Sequence, residues 1–140
     1  MLVVAPQETL AGERRVALVP DAAKLYRKAN LDVAIQAGAG FRAGHDDAAY
    51  EREKVVVEPD GAALLAKADV ILKVQPPNDA EIGALRRGVT LISFLRPLDQ
   101  PEIAAKLAAA GVTSFAMELV PRITRAQAMD ALSSQASLAG

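Results

Sequence analysis

The stretch ADVILKVQPPNDAEIGALRRGVTLISFL, residues 68–95, decides the fold. Its two ends, ADVILKV (68–74) and VTLISFL (89–95), are almost continuously apolar, as strands covered on both faces must be. Between them, Asn78 with Glu81 three residues on has the spacing of a helix start, and Ile82 and Leu85 supply the buried stripe behind it. A strand, a helix and a second buried strand joined by short turns make a parallel pair with a crossover.

The same alternation extends outward in both directions. Further apolar, β-rich runs are LVVAPQ (2–7), LDVAIQ (31–36), VVVE (55–58) and VTSFAME (112–118). In DAAKLYRKA (21–29), Ala22, Leu25, Tyr26 and Ala29 fall on one helical face. The segment Asp99-Gln-Pro-Glu102 opens another helix, where proline is tolerated because the first turn has no amide bond to lose. Ile103 and Leu107 then face inward, and Gly111 serves as a left-handed cap. The expected class is α/β: a mostly parallel, doubly wound sheet with helices on both faces, a Rossmann-like or flavodoxin-like lobe.

Composition limits the function classes. The 140 residues are 51% hydrophobic and 24% charged, the balance of an ordinary globular domain. A net charge of −1 offers no concentrated basic face for nucleic acid. With no cysteine and only one histidine, His45, neither a thiolate nucleophile nor a His/Cys metal centre is expected. The opening MLVVAPQE is not a signal peptide and no apolar run reaches membrane-span length, so the default is a soluble protein in a reducing compartment.

Five places invite a chemical reading. Gly38, Gly40 and Ala43 spell G-x-G-x-x-A after a strand, with Glu58 twenty residues past Gly38, the dinucleotide fingerprint on paper. Against it, pyrophosphate needs a helix whose first turn begins inside the motif. Gly44 would break that turn, and Asp46 and Asp47 look like caps for a later short helix, so a loop of glycines in unusual conformations is the better reading. Arg15, beside Arg14 in the loop after the first strand, is either a solvated turn residue or an anion clamp in a cleft. Lys73 interrupts a run that otherwise reads as buried, so it must reach a cleft at the strand end or pair internally. His45 reads as an exposed turn residue.

The last stretch is the C-terminal one, where polar groups recur at helical spacing. Thr124 with Gln127 can be a capping box, leaving Asp130 and Ser133 on a wet face; the same groups can equally hold a ligand.

Taken together, ETLAGERRVALVP (8–20), AGAGFRAG (37–44), ADVILKVQPP (68–77), LISFLRP (91–97) and above all MELVPRITRAQAMDALSSQASLAG (117–140) resemble the NAD(H)-binding component of proton-translocating nicotinamide nucleotide transhydrogenase. Alanine dehydrogenase is a related relative. The resemblance covers essentially the whole chain, and its closing motif is the specific part.

The resemblance implies two parallel α/β lobes with a cleft between them, and a loop R-x-x-x-x-Q-x-x-D over the nicotinamide. Arg122, Gln127 and Asp130 match that loop, and Ser133 matches a serine joining the same contacts. In alanine dehydrogenases, residues matching Arg15 and Lys73 hold pyruvate, and a histidine shortly after the strand matching LISFL supplies acid–base chemistry. Here Phe94-Leu95-Arg96-Pro97 occupies that place, which argues against amino-acid oxidation.

The family's division implies a lobe over 1–122 and the start of a connecting helix over 123–140, leading to an NAD-binding lobe that carries the cofactor's glycine turn. Without that lobe the chain is expected to bind NAD weakly or not at all and to be inactive alone. The implied cofactors are NAD(H), with NADP(H) on a partner component and no metal. The implied partners are the membrane and NADP(H)-binding components and a second copy in a homodimer, with the protein cytoplasmic and peripheral on the inner face of the cell membrane. Two other readings stay open: a small NAD-dependent dehydrogenase of the alanine dehydrogenase type, and a non-catalytic interaction module.

Overall fold

A computed structural model describes residues 1–121 and 123–131. Among the described residues one sheet of six strands runs through the molecule, in the order β3-β2-β1-β4-β5-β6. The strands are β1 (Leu2–Ala5), β2 (Asp32–Gln36), β3 (Val56–Glu58), β4 (Val70–Leu72), β5 (Thr90–Ser93) and β6 (Thr113–Ala116). Every pairing is parallel, and β1 lies between β2 and β4, with Val3 opposite both Val33 and Val70. The strand order reverses there. The α/β class and the six strand positions follow the sequence reading, although each strand is shorter than or equal to the apolar run containing it.

Side chains alternate across the sheet as the pleat requires. Val3, Ala5, Val33, Ile35 and Leu72 enter one core, under α1 (Pro20–Lys28) and α2 (Asp47–Arg52). Val4, Ala34, Ile71 and Leu91 enter the other, with Leu64 and Leu65 of α3 (Gly61–Lys67) and Leu107 of α5 (Pro101–Ala109). The helix α4 (Asp79–Ala84) closes the second layer, and Ile82 and Leu85 pack against this core.

Local chemistry explains the helix ends. Asn78 and Glu81 form the reciprocal capping box, each side chain accepting from the other residue's backbone N–H. Pro101 sits in the first turn of α5, with Gln100 as the cap residue, and Gly111 just past the helix has φ +71. Asp46 caps α2, as the paired aspartates suggested.

Two expectations need correction. Leu25 is 64% exposed, while Ala23 is fully buried and Ala22 and Tyr26 pack on the core. The helix starts at Pro20, and its inward stripe is centred on Ala23, a small residue that lets the helix lie close to the sheet. His45 is half-buried, its ring meeting Tyr50 edge-on at 6.3 Å, and is not an open turn residue. The helix α3, in GAALLAK, has no counterpart among the helices named from the sequence. Its short Ala-rich run offers little periodicity, although Asp60 caps it through the N–H groups of Ala62 and Ala63.

Candidate functional site

The carboxyl ends of β1, β4 and β5 deliver several polar side chains to one place. Glu8, Glu13, Lys73, Gln75 and Ser93 are all buried, at 8% exposure or less. Buried polar groups persist only when partners satisfy them. Lys73, one residue beyond β4, donates from Nζ to Glu81 Oε1 at 2.9 Å and lies 3.4 Å from Glu8 Oε2. The Glu8 carboxylate also accepts from the N–H groups of Val74 (2.6 Å) and Gln75 (3.2 Å). Of the two possibilities for Lys73, internal pairing is realised: its side chain is 1% exposed.

A second network lies alongside. The Arg15 guanidinium grips Glu13 through both carboxylate oxygens, Nε to Oε1 and Nη2 to Oε2, each at 2.8 Å. Those bonds hold the Glu13 carboxyl well below its usual range, at about 2; burial opposes them, and Gln75 Nε2, donating to Oε2 at 2.6 Å, adds to the effect. The same pairing raises the pKa of Arg15. Gln75 Oε1 accepts from Arg96 Nη2 at 3.2 Å, and its backbone carbonyl accepts from Ser93 Oγ at 3.0 Å.

These residues floor two adjoining hollows that share Arg15 and Phe94. One, about 480 Å³, is bounded by Gln75, Arg96, Leu98 and Leu119. The other, about 390 Å³, is bounded by Tyr26, Lys73, Met117 and Ala131. A crevice beyond the strand ends, where the order reverses, is where open α/β sheets bind ligands.

Of the residues singled out for the nicotinamide, Arg122 and Ser133 lie outside the described residues. Gln127 is exposed on the 3₁₀ segment Thr124–Met129. Asp130 is half-buried beside Ala131, and Ala131 borders the second hollow. The capping box suggested for Thr124 and Gln127 does not form: Ile123 is the cap residue and no side chain bonds there. Ala126 is buried and seats the segment.

The glycine loop does not fit a pyrophosphate. Its only helical turn is the 3₁₀ piece Phe41–Ala43, and α2 begins at Asp47 with the first-turn N–H of Ala49 served by Asp46. A Cβ on Gly40 would stand 2.7 Å from the Tyr50 ring and 2.9 Å from the His45 carbonyl, so the space is filled by protein. The Tyr50 hydroxyl is itself tied to the Leu18 carbonyl at 2.8 Å, and burial pushes its pKa up to about 12.

Sequence reasoning missed Glu8, Glu13, Gln75 and Glu118. The available signal was the position of APQETLAGE directly after a buried strand: two carboxylates there need cations, and Arg15 and Lys73 were already in view.

The architecture defines an α/β domain of the dinucleotide-binding type of topology, with its cleft at the reversal of strand order. The family model "Alanine dehydrogenase/PNT, N-terminal domain" matches residues 4–139, and the chain belongs to that family. It is 47% identical, over all 140 residues, to the NAD(P) transhydrogenase subunit alpha of Cereibacter sphaeroides, and spans 27% of that protein. To the alanine dehydrogenase of Halomonas elongata it is 35% identical over 120 residues, covering 86% of this chain and 32% of the relative. The crystal structure of the transhydrogenase from Sinorhizobium meliloti superposes with a TM-score of 0.94 at 42% identity, over 99% of this chain and 41% of that one. An L-alanine dehydrogenase structure superposes with a TM-score of 0.84 at 26% identity, over 89% of this chain and 34% of that one. The chain thus spans between a quarter and a half of the relatives it matches.

Proposed function

We propose that this chain is the first lobe of the NAD(H)-binding component of a proton-translocating transhydrogenase, and that it presents the nicotinamide-facing loop. In this reading residues 1–122 form the lobe, and 123–140 lead toward a second lobe that holds the NAD pyrophosphate. The NADP(H)-binding and membrane components are partners, a second copy completes a homodimer, and the assembly sits on the inner face of the cell membrane.

The observation that supports the reading most is the condition of the two cations at the cleft floor. Lys73 is enclosed by Glu8 and Glu81, and Arg15 is gripped by Glu13. A 2-oxo acid binding there would compete with carboxylates already in place, and breaking a buried pair is costly. The stretch after β5 that would need an acid–base histidine reads Phe94-Leu95-Arg96-Pro97 and carries none. Greater similarity to transhydrogenase than to alanine dehydrogenase points the same way.

The remaining polar equipment suits orientation. Bound NADH supplies the hydride itself, which passes to the partner's NADP+ without an enzyme-borne acid or base. The Gln127 amide can both donate to and accept from a carboxamide, and the Asp130 carboxylate can accept from a ribose hydroxyl or amide. Arg122 and Ser133 complete the set. Their task is to fix distance and angle, a contribution of up to about 7–11 kcal/mol in well-oriented reactions.

The test is single-turnover hydride transfer from NADH to NADP+ in the assembled complex carrying Asp130→Asn. The expected result is a loss of about a hundredfold with thermal stability unchanged. An unchanged rate, or alanine-dependent reduction of NAD+ by the unaltered protein, overturns the reading.

A further inference from the structure

The turn leaving β5 has an unusual backbone. Arg96 adopts φ +49, in the left-handed region that non-glycine residues seldom occupy. Consecutive amides in such turns converge into a small anion-binding concavity. Here the concavity is filled from within the chain: a single carboxylate oxygen, Glu118 Oε1, accepts from Leu95 N at 2.9 Å and also from Arg96 N. Glu118 belongs to the 3₁₀ turn Met117–Leu119 that follows β6. One side chain therefore ties the exit of β5 to the exit of β6.

The tie has two ends worth following. On one side, the Arg96 guanidinium donates to Gln75, and Gln75 donates to Glu13, so the turn is anchored in the buried network beneath the cleft. On the other, Glu118 stands six residues before Thr124, where the segment bearing Gln127 and Asp130 begins. Between them, among the described residues, Val120 N bonds Met117 O at 3.3 Å and Ile123 N bonds Pro121 O at 2.9 Å, carrying the direction of the chain from Glu118 toward Thr124.

From this geometry we infer that Glu118 is a positioning residue: by filling the amide concavity at Leu95 and Arg96, it sets where Gln127 and Asp130 stand relative to the cleft. Glu118 acts through the path of the backbone, and a glutamine can replace it because one amide oxygen can accept both N–H bonds. An alanine cannot. The functional half of the inference rests on the transhydrogenase reading; the structural half does not.

Two measurements separate those halves. The first uses the 140-residue chain and backbone amide NMR. Glu118→Ala is expected to shift the amides of Gln127 and Asp130 as well as those of Leu95 and Arg96, with Glu118→Gln close to the unaltered protein and added formate partly restoring the alanine variant. Shifts confined to the neighbours of residues 95, 96 and 118 overturn the inference. If the alanine variant does not fold, Glu118→Asp, which keeps the charge but shortens the reach, is read in the same way.

The second uses the assembled complex. Glu118→Ala is expected to slow single-turnover hydride transfer by about tenfold to a hundredfold, with NADH affinity unchanged and Glu118→Gln restoring the rate. A full rate in Glu118→Ala, while Asp130→Asn is slow, overturns the inference. If both variants transfer hydride at the full rate, the transhydrogenase reading fails, and the NMR result alone decides the positioning role.

Discussion

The buried cluster around Lys73 and the exposed segment Thr124–Met129 make an instructive pair. Both interrupt apolar sequence with charges and amides, and from sequence both look like sites. In the folded molecule they differ in one respect. Lys73, Glu8 and Glu81 are answered by one another and by backbone N–H groups, so their chemistry is consumed in holding β1, β4 and α4 together. Gln127 faces outward from a segment seated by a single buried alanine, Ala126. The buried polar residues mark the construction of the fold; the proposed use falls to the polar residues carried on the segment beside the cleft.

The sharpest way to break this contrast is Lys73→Met. Removing the cation strands two carboxylates in the interior, and the expected loss is about 3–5 kcal/mol in a urea titration. Hydride transfer per folded molecule should persist in the assembled complex. If the folded variant is stable but inactive, the cluster belongs to the site and the contrast collapses.

Acid titration probes the neighbouring pair. Glu13 is depressed from 4.5 to about 2 in the folded state, so its contribution is fully present above pH 4.5 and is lost as pH falls from there toward 2. The contribution should be on the order of 2–3 kcal/mol, and Glu13→Gln should flatten stability over that acidic window. Tyr50 sets the opposite limb. Its raised pKa gives stability that is present below pH 10 and lost as pH rises from 10 toward about 12. Loss of that limb in Tyr50→Phe, followed by thermal unfolding at alkaline pH, checks the assignment.

A smaller effect is expected from Gly40→Ala. Gly40 has φ −81, which alanine tolerates, so the cost is steric alone. The new methyl meets a fully buried Tyr50 that has nowhere to move, and overpacking of this kind costs about 1–3 kcal/mol. Were the loop a pyrophosphate cradle, the same change would abolish cofactor binding and leave stability nearly intact.

At the low end lies Gln127→Ala, expected to change stability by less than about 0.5 kcal/mol, as exposed substitutions do. Its effect should appear in hydride transfer. A stability loss comparable with that of Lys73→Met would mean that the two regions are not different in kind.

The fold was legible because buried parallel strands cannot hide: VTLISFL and ADVILKV carry too much apolar surface to lie open to water, although Val70, Ile92 and Phe94 are only half-buried. Asn78, Asp46 and Gly111 announced helix ends because capping is local chemistry. Leu25 misled because a nine-residue helix shows too few turns to fix which stripe faces in. The cleft floor was half-legible. Arg15 and Lys73 stood out as cations, but their partners Glu13, Glu8 and Glu81 lie two, sixty-five and eight residues away, and only the topology brings the distant one home. Gln75 and Glu118 were invisible because their partners, the side chains of Glu13 and Arg96 for one and the backbone N–H groups of Leu95 and Arg96 for the other, stand far off in sequence and leave no local pattern.

The position of β1 has a consequence for biosynthesis. Its neighbours are β2 on one flank and β4 on the other, and Leu2 N also bonds Asp69, a partner sixty-seven residues downstream. A nascent chain emerging from the ribosome can pair β1 with β2, and β2 with β3, early, yet the other flank of β1 stays open until Val70 and Ile71 have been translated. During that interval an apolar strand edge is bare, and a bare edge is a template on which a growing polypeptide can stick to its neighbours.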